Sequence, residues 1–498
     1  MAFGQEPSKN QLAPCGTAPY LDAWLRDFRA NPEKFAAADR SSDTLWVAMK
    51  IHLLAKDNGV GRFSPERLLN AFCRLNADYA PSKIQFYFKD DWNLLNNTAW
   101  YDHNDIETGI QMMLTNDVPH AVNSYFVSDP AGNCGYNLPY AGVAMAHGCA
   151  GPEDHTWAHE VGHNLTLPHP FIGWEGKIYN FSTPTPTFLT YDYTHFHAQP
   201  DTIVPAPLDT ALVERLDGSN CGIAADRFCD TRPDYLSYRW DCDAQNQSLV
   251  RQKDPAGAEF FSDGTLFMSY AFDRCQSRFS DEEIAAMRAN LQTVKNSYIA
   301  PGPVAPPIAG LPTLIEPIGG ETVPKDGTTL HWSAVPGATK YLLQISRVAS
   351  FAFKDVEVVV ADTFFTTSTL PVNYNMYWRV RPFNAAYACA GYTPSEKFYS
   401  SNLSSTDEAE DFAGFRLYPS VSPVGGRLHL EASLPQVVPV FCRVVDVAGR
   451  ILWQGNLEIK AGKNRLPFDT NDWQSGVYRA VFYHPDGAFS AKTFLLAK

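Results

Sequence analysis

The strongest constraint on this chain lies in 18 residues, DHTWAHEVGHNLTLPHPF, at positions 154–171. His159 and His163 stand four apart, so a helix puts both imidazoles on one face, one turn above the other. Trp157, Val161 and Leu165 fall on the opposite face. Such a helix buries its apolar side in a core and leaves two histidines together, near enough to share one ion. Thr156 is expected as its N-cap. Glu160 follows the first His, where its carboxylate can reach a water on that ion without ligating it. This spacing points to zinc, which lowers the pKa of bound water towards 7 and polarises a carbonyl while the Glu takes the proton.

The surroundings extend the pattern. His169 lies six residues beyond His163, the spacing of a third ligand. Far downstream, Met268 in GTLFMSYAFDRC suits a tight turn beneath a metal site. The alternative third ligand is Glu214 in DTALVERLD, read as a helix, but it leaves His169 and Met268 without a role.

Composition narrows the setting. Forty Lys and Arg against 54 Asp and Glu give a formal charge of −14. With no basic block, nucleic acid and anionic membrane surfaces are poor partners. No apolar run approaches the ~18–20 residues of a membrane span. The first residues, MAFGQEPSKNQLAPCGTAPY, lack a charged region followed by an apolar one and do not read as a signal peptide. Eight of the ten Cys precede residue 300, and Cys221, Cys229, Cys242 and Cys275 fall within 55 residues without a C-x-x-C pair. Disulfides in an exported protein fit that pattern better than a zinc knuckle. Cys134 and Cys149 flank a short apolar stretch just before the helix, and a disulfide there would brace it.

With 498 residues, roughly three domains are expected. Residues 301–317 hold six prolines in 17 positions and read as a stiff linker. Residues 401–412 are Ser-rich and acidic and read as a flexible one. Before the first break the texture is mixed: DAWLRDFRANPEKF and SDEEIAAMRANLQTV are helix-like, KIQFYF and NSYFV strand-like. After it, apolar residues alternate between Gly, Pro and Asn turns. The expected fold class is α+β: a catalytic domain at 41–300, with a mixed twisted sheet and an active-site helix, follows an N-terminal arm at 1–40. Two small all-β sandwiches follow at 318–400 and 413–498.

From CGYNLPY at residue 134 to about residue 295 the chain resembles the metzincin zinc metalloproteases, most closely the pappalysin family. HEVGH, the final His-Pro-Phe, CDTRPDY and MSYAFDRC carry the resemblance. It implies that His159, His163 and His169 hold zinc, that Glu160 is the general base and that Met268 supports the site from below. Tyr270 would stabilise the tetrahedral oxyanion. The family glycine between the second and third His is Thr166 here. A β-branched residue at the positive φ of that turn costs on the order of 1–2 kcal/mol, so either the turn differs or the strain is tolerated. Cys15 in APCGTAP resembles a prosegment cysteine that offers its thiolate to the zinc and keeps the enzyme latent. A disulfide, with Cys73 for instance, is the plainer reading. The resemblance implies a bridged Cys275, with Cys242 its first-choice partner, while Cys221 and Cys229 pair with each other or compete. Asp226 and Thr231 resemble calcium-holding positions, although Pro233 stands where a further acid is expected.

Residues 328–398 resemble a fibronectin type III module, with Trp332 and Trp378 expected between two sheets. The last segment, from FRLYPSV to KTFLLAK, resembles the C-terminal sorting domain of type IX secretion substrates. That implies the secretion machinery as a partner and a secreted or cell-surface location. The expected function is a secreted zinc endopeptidase acting on protein or peptide substrates. Its rival is a non-catalytic adhesin with a structural metal site, which the presence of Glu160 disfavours. Asp273 and Arg274 are candidates to line the specificity pocket, and Arg274 would suit acidic side chains.

Overall fold

The run LWVAMKIHLLA, apolar at nearly every position, is what a strand covered on both faces requires. It forms β1 (Leu45–Ala55), buried along almost its whole length. In the computed structural model, which describes residues 12–18, 22–35, 43–139, 141–190, 210–402, 415–418, 421–423, 427–434, 437–446, 450–470, 472–483 and 489–497, β1 is the centre of a mixed sheet. Parallel to it run β2 (Ile84–Phe88), β3 (Asn93–Asn96) and β5 (Val122–Val127). Next to β5 lies parallel β8 (Gly142–Ala146), and antiparallel β7 (Gly135–Leu138) forms the far edge. Short β4 (Asp102–His103) pairs with β6 (Asp129–Pro130) beside it. KIQFYF and NSYFV are therefore strands, as their alternation indicates.

Helix α1 (Ala23–Ala30) lies in the N-terminal arm and is followed by a 3-10 turn, Pro32–Lys34. Helix α2 (Pro65–Tyr79) starts where Ser64 Oγ accepts from Arg67 N and Pro65 fixes φ at the first turn. Its buried face carries Leu68, Leu69, Phe72, Leu75 and Tyr79. Helices α3 (Thr98–Tyr101) and α4 (Ile106–Asn116) cover the other end of the sheet. Helix α5 (Thr156–Asn164) carries the histidines and packs against β7, β8 and α2, where Tyr79 Oη donates to Ala158 O at 3.0 Å. Helix α6 (Asp281–Thr293) closes the domain behind a capping box of Ser280 and Glu283.

Between α5 and α6 the described residues are mostly irregular. Two small hairpins occur there, β9 (Phe188–Thr190) with β10 (Thr210–Leu212) and β11 (Gln252–Lys253) with β12 (Glu259–Phe260). The helix expected over DTALVERLD is absent: Thr210–Leu212 spends its backbone groups on β9 instead. Disulfides Cys221–Cys229 and Cys242–Cys275 staple this region, and Cys134–Cys149 lies just before α5. They realise the local bridge before α5, the self-pairing of Cys221 and Cys229, and the Cys242 partner for Cys275. Cys15 is a free thiol, so the disulfide reading of Cys15 fails.

The chain divides into two compact units, Met1–Ala305 and Pro306–Lys498. The second holds two sandwiches of identical strand order. In the first, β13 (Leu314–Glu316), β15 (Thr329–Trp332) and β18 (Phe364–Thr366) form one sheet. The other sheet runs β14 (Glu321–Pro324), β20 (Glu396–Ser401), β19 (Tyr374–Phe383), β16 (Lys340–Ser346), β17 (Val356–Val360). In the last sandwich, β21 (Arg416–Tyr418), β23 (Arg427–Leu434) and β26 (Gly462–Asp469) face a sheet ordered β22 (Val421–Pro423), β28 (Phe489–Ala497), β27 (Gly476–Tyr483), β24 (Val438–Asp446), β25 (Ile451–Ile459). Trp332 and Trp378 are fully buried between the sheets of the first, ring centroids 6.3 Å apart. That sandwich begins inside the proline-rich stretch, because Leu314–Glu316 is already its first strand. The expected flexible linker at 401–412 overlaps β20 at Ser401, and its residues 403–412 lie outside the described residues. Among the described residues no helix is long and apolar enough to cross a membrane.

Candidate metal centre

Both ends of α5 are fixed by contacts that the helix sequence does not contain. The N-cap is His155, not Thr156, which is the first helical residue. His155 makes no side-chain cap; its Nδ1 meets Asp78 Oδ2 of α2 at 2.8 Å, and its N–H donates to Asp273 Oδ1 at 2.9 Å. A helix start is thereby held from two sides. Trp157, Val161 and Leu165 are buried as their spacing requires. At the C-terminus Thr166 N donates to His163 O and Leu167 N to Gly162 O, both at 3.0 Å. This is a Schellman turn with threonine in the position glycine usually takes, and Thr166 adopts φ +87°. The turn is thus the expected sharp one, and the strain is present.

That turn swings His169 back onto the helix face. The Nε2 atoms of His159, His163 and His169 lie 3.0–3.2 Å from one another. His159 Nδ1 bonds Phe267 O at 2.8 Å and His163 Nδ1 bonds Leu167 O at 2.7 Å. A carbonyl oxygen only accepts, so each Nδ1 carries the proton and each Nε2 presents a lone pair. His169 Nδ1 faces Glu175 Oε1 at 3.5 Å. Lone pairs this close repel unless a cation sits among them. Four ligands around a tetrahedral zinc would hold nitrogens about 3.3 Å apart, with a sulfur about 3.6 Å from each. The fourth donor is in place: Cys15 Sγ lies 3.7 Å from His163 Nε2 and completes the group with the three imidazoles. Burial pulls His159 down to about 4 and His163 and His169 well below the ordinary range, so all three are neutral donors. The donor set fits zinc.

Glu160 is fully buried beside this cluster. Its Oε2 accepts from Thr17 Oγ1 at 3.0 Å, and burial raises the carboxyl to about 8 against the lowering effect of hydrogen bonds from Cys15 and Thr17. Room for it comes from Gly135 on the edge strand: a Cβ there would stand 2.8 Å from Glu160 Cγ and 2.9 Å from Ala144 O. Met268 packs against α5, where a Cβ on Gly162 would come within 2.6 Å of its sulfur. Tyr270 meets the His169 ring edge-on, centroids 4.9 Å apart, and its Oη donates to Cys15 O at 3.3 Å.

The arm that brings Cys15 lies along the edge of the sheet. Gly16 N donates to Gly135 O at 2.8 Å, Cys134 N to Ala13 O at 2.7 Å and Asn137 N to Thr17 Oγ1 at 2.8 Å. Behind it, Asp22 caps α1 with Oδ1 and accepts from Thr166 Oγ1 with Oδ2 at 3.1 Å. Farther along α1, Arg29 pairs with Glu282 at 2.6 Å and covers the Phe228 ring.

Several expected residues fall elsewhere. Glu214 does not reach the histidines. It is buried against Asp226, and burial with that neighbour's charge raises it to about 10. Asp226 Oδ2 accepts from Thr231 Oγ1 at 3.1 Å, so these two bond each other. Arg274 points away, bonded to Asp241 and to Cys242 O. Sequence reasoning missed Glu175, Asp78 and Arg239. Only Glu175 had a signal, as an acid in the apolar run FIGWEG directly after the third His.

No family model matches the chain, and no curated protein matches it. Among solved structures, the FN1-FN3 domains of chicken CNTN1 align at 11% identity and a TM-score of 0.17, over 38% of this chain and 66% of that one. Two alpha-L-rhamnosidases, from Dictyoglumus thermophilum and Streptomyces avermitilis, align at 9% and 10% identity with TM-scores of 0.16. These cover 38% and 37% of this chain but only 28% and 24% of theirs, so the chain spans less than two thirds of each neighbour. Likenesses of this size carry no argument about this chain.

Proposed function

We propose that the chain is a secreted zinc-dependent endopeptidase of the pappalysin-like metzincin type, made in a latent form. The observation that carries this reading is the convergence of three imidazole lone pairs and a free thiol beside a buried glutamate. His159, His163 and His169 would hold the zinc, with Cys15 in the fourth position. Bound zinc would supply an acidified water and a polarised substrate carbonyl.

The residues divide the remaining work. Cys15 fills the position a water needs, and Thr17 occupies the Glu160 carboxylate, so the arm blocks nucleophile and base together. Once the arm leaves, Glu160 is free to take a proton from water and return it to the leaving amine. Tyr270 Oη, now on the Cys15 carbonyl, is free to donate to the substrate's carbonyl oxygen, which gains charge in the transition state. Cys15, Asp22 and Arg29 give the arm three separate anchors, which supports latency. Disulfides through the catalytic unit accord with export. Export through type IX machinery by the last sandwich rests on the resemblance of its sequence, as does calcium at Asp226 and Thr231. A structural metal site in an adhesin has no use for a buried base at its side, which favours the enzyme.

The test is a mass-spectrometric time course with unfolded casein and zinc, run beside Glu160→Ala. The native chain is expected to cut itself within residues 30–45 first and casein afterwards, while the variant keeps stoichiometric zinc and cuts neither. A zinc-loaded native chain with residues 1–40 removed that leaves casein intact would overturn the reading.

A further inference from the structure

A small cavity of about 20 Å³ opens beside His159 and Tyr270, walled by Thr156, Arg239, Asp273 and Pro14 of the arm. It adjoins the candidate metal centre, and the segment that covers the centre covers it too. We infer that Arg239 is the specificity contact of the enzyme, binding a substrate carboxylate next to the scissile bond. The inference rests on the endopeptidase reading and adds the substrate class.

Arg239 sits on a rigid frame. Trp240 N donates to Tyr270 O at 3.3 Å and Phe272 N to Trp240 O at 2.9 Å, so the two segments run side by side. The Cys242–Cys275 disulfide ties the same segments together a few residues on. The guanidinium is therefore held at a fixed offset from Tyr270, the group proposed to meet the scissile carbonyl.

Arg239 and Asp273 form an ion pair in the cavity at 3.4 Å, and the donors left over are those of Arg239. Asp273 is engaged on both oxygens: Oδ1 takes the His155 N–H at 2.9 Å, and Oδ2 faces Arg239 Nη1 at 3.4 Å. Arg239 is less fully used. Among the described residues its Nη2 meets the weak acceptor Cys134 Sγ at 3.8 Å, and its buried Nε has no hydrogen-bond partner. A buried N–H without an acceptor is costly, and a carboxylate answers it with a charge-assisted bond that an amide or ammonium cannot match. Arg274, the arginine the sequence offers for this role, is turned to solvent and bonded to Asp241.

Two sources present a carboxylate there: an Asp or Glu side chain beside the cut, or the free C-terminus of a short peptide. The experiment uses the full chain after release of its arm and a peptide library read by mass spectrometry. Matched pairs with Glu or Gln beside the cut, each with a free or amidated C-terminus, accompany the library. The Glu peptide, or the free-terminus peptide, is expected to show kcat/KM on the order of tenfold above its neutral partner. Arg239→Gln is expected to abolish that ratio while neutral peptides are still cut, and Arg239→Lys to retain part of it. Equal rates within both pairs for the native chain overturn the inference whatever the variants do. A preference for Lys or Arg beside the cut overturns it too and gives the cavity to Asp273. Failure to cut any peptide while zinc stays bound removes the endopeptidase reading itself.

Discussion

Thr166 joins two demands in one side chain. Its backbone takes the left-handed turn that returns His169 to the helix, and its hydroxyl holds Asp22 of the arm. A glycine would make the turn without strain but would leave the arm one anchor short. Thr166→Ala keeps the strain and loses the hydroxyl, so labelling of Cys15 by a thiol reagent is expected to accelerate about three- to tenfold. Thr166→Ser retains the hydroxyl and should label at the native rate. Thr166→Gly relieves about 1–2 kcal/mol of strain, so the arm-free variant should melt above the arm-free native chain. Labelling that ignores the hydroxyl would remove Asp22 from the set of anchors.

Helix α6 shows how a local cap acquires a pH dependence. Glu283 accepts from Ser280 N at 2.7 Å, but it is fully buried, and burial together with the charges of Asp226 and Asp230 raises its carboxyl to about 8. The folded state therefore holds that proton more tightly than the unfolded chain does, whose glutamate titrates near 4.5. This contribution is complete below pH 4.5 and is lost as pH rises through 8. Glu283→Gln keeps the capping geometry and removes the titration. The melting temperature of the native chain should fall relative to that of the variant between pH 5 and 8.5. Parallel curves would mean that Glu283 is ionised throughout.

Across the molecule, the candidate metal cluster and the two β-sandwiches lie in different units. The candidate metal cluster draws on α5, the turn after it and the N-terminal arm, all before residue 305. The second unit holds one sandwich topology in two copies, and its two fully buried tryptophans, Trp332 and Trp378, lie at the centre of the first copy. Truncating Trp332 to Ala should cost about 3–5 kcal/mol in that sandwich. Calorimetry is expected to show one transition lowered and another unmoved, with casein cleavage unchanged. Loss of cleavage would tie the sandwich to catalysis.

The sequence by itself determined the helix that carries His159, Glu160 and His163, the third histidine at its spacing and the two β-rich modules. Each of these is written in local periodicity or in a short motif, which the chain cannot satisfy in many ways. The pairing of Cys242 with Cys275 came only through the family resemblance. Tertiary structure alone decided that His155 rather than Thr156 starts α5, because Asp78 and Asp273 arrive from distant segments to hold it. It alone excluded Glu214 from the histidine cluster, seated the free Cys15 there, and chose Arg239 over Arg274 for the cavity. These outcomes depend on how the N-terminal arm, α2 and the connection between α5 and α6 are laid side by side. No spacing within the chain encodes that, because such a connection has no repeating geometry to read.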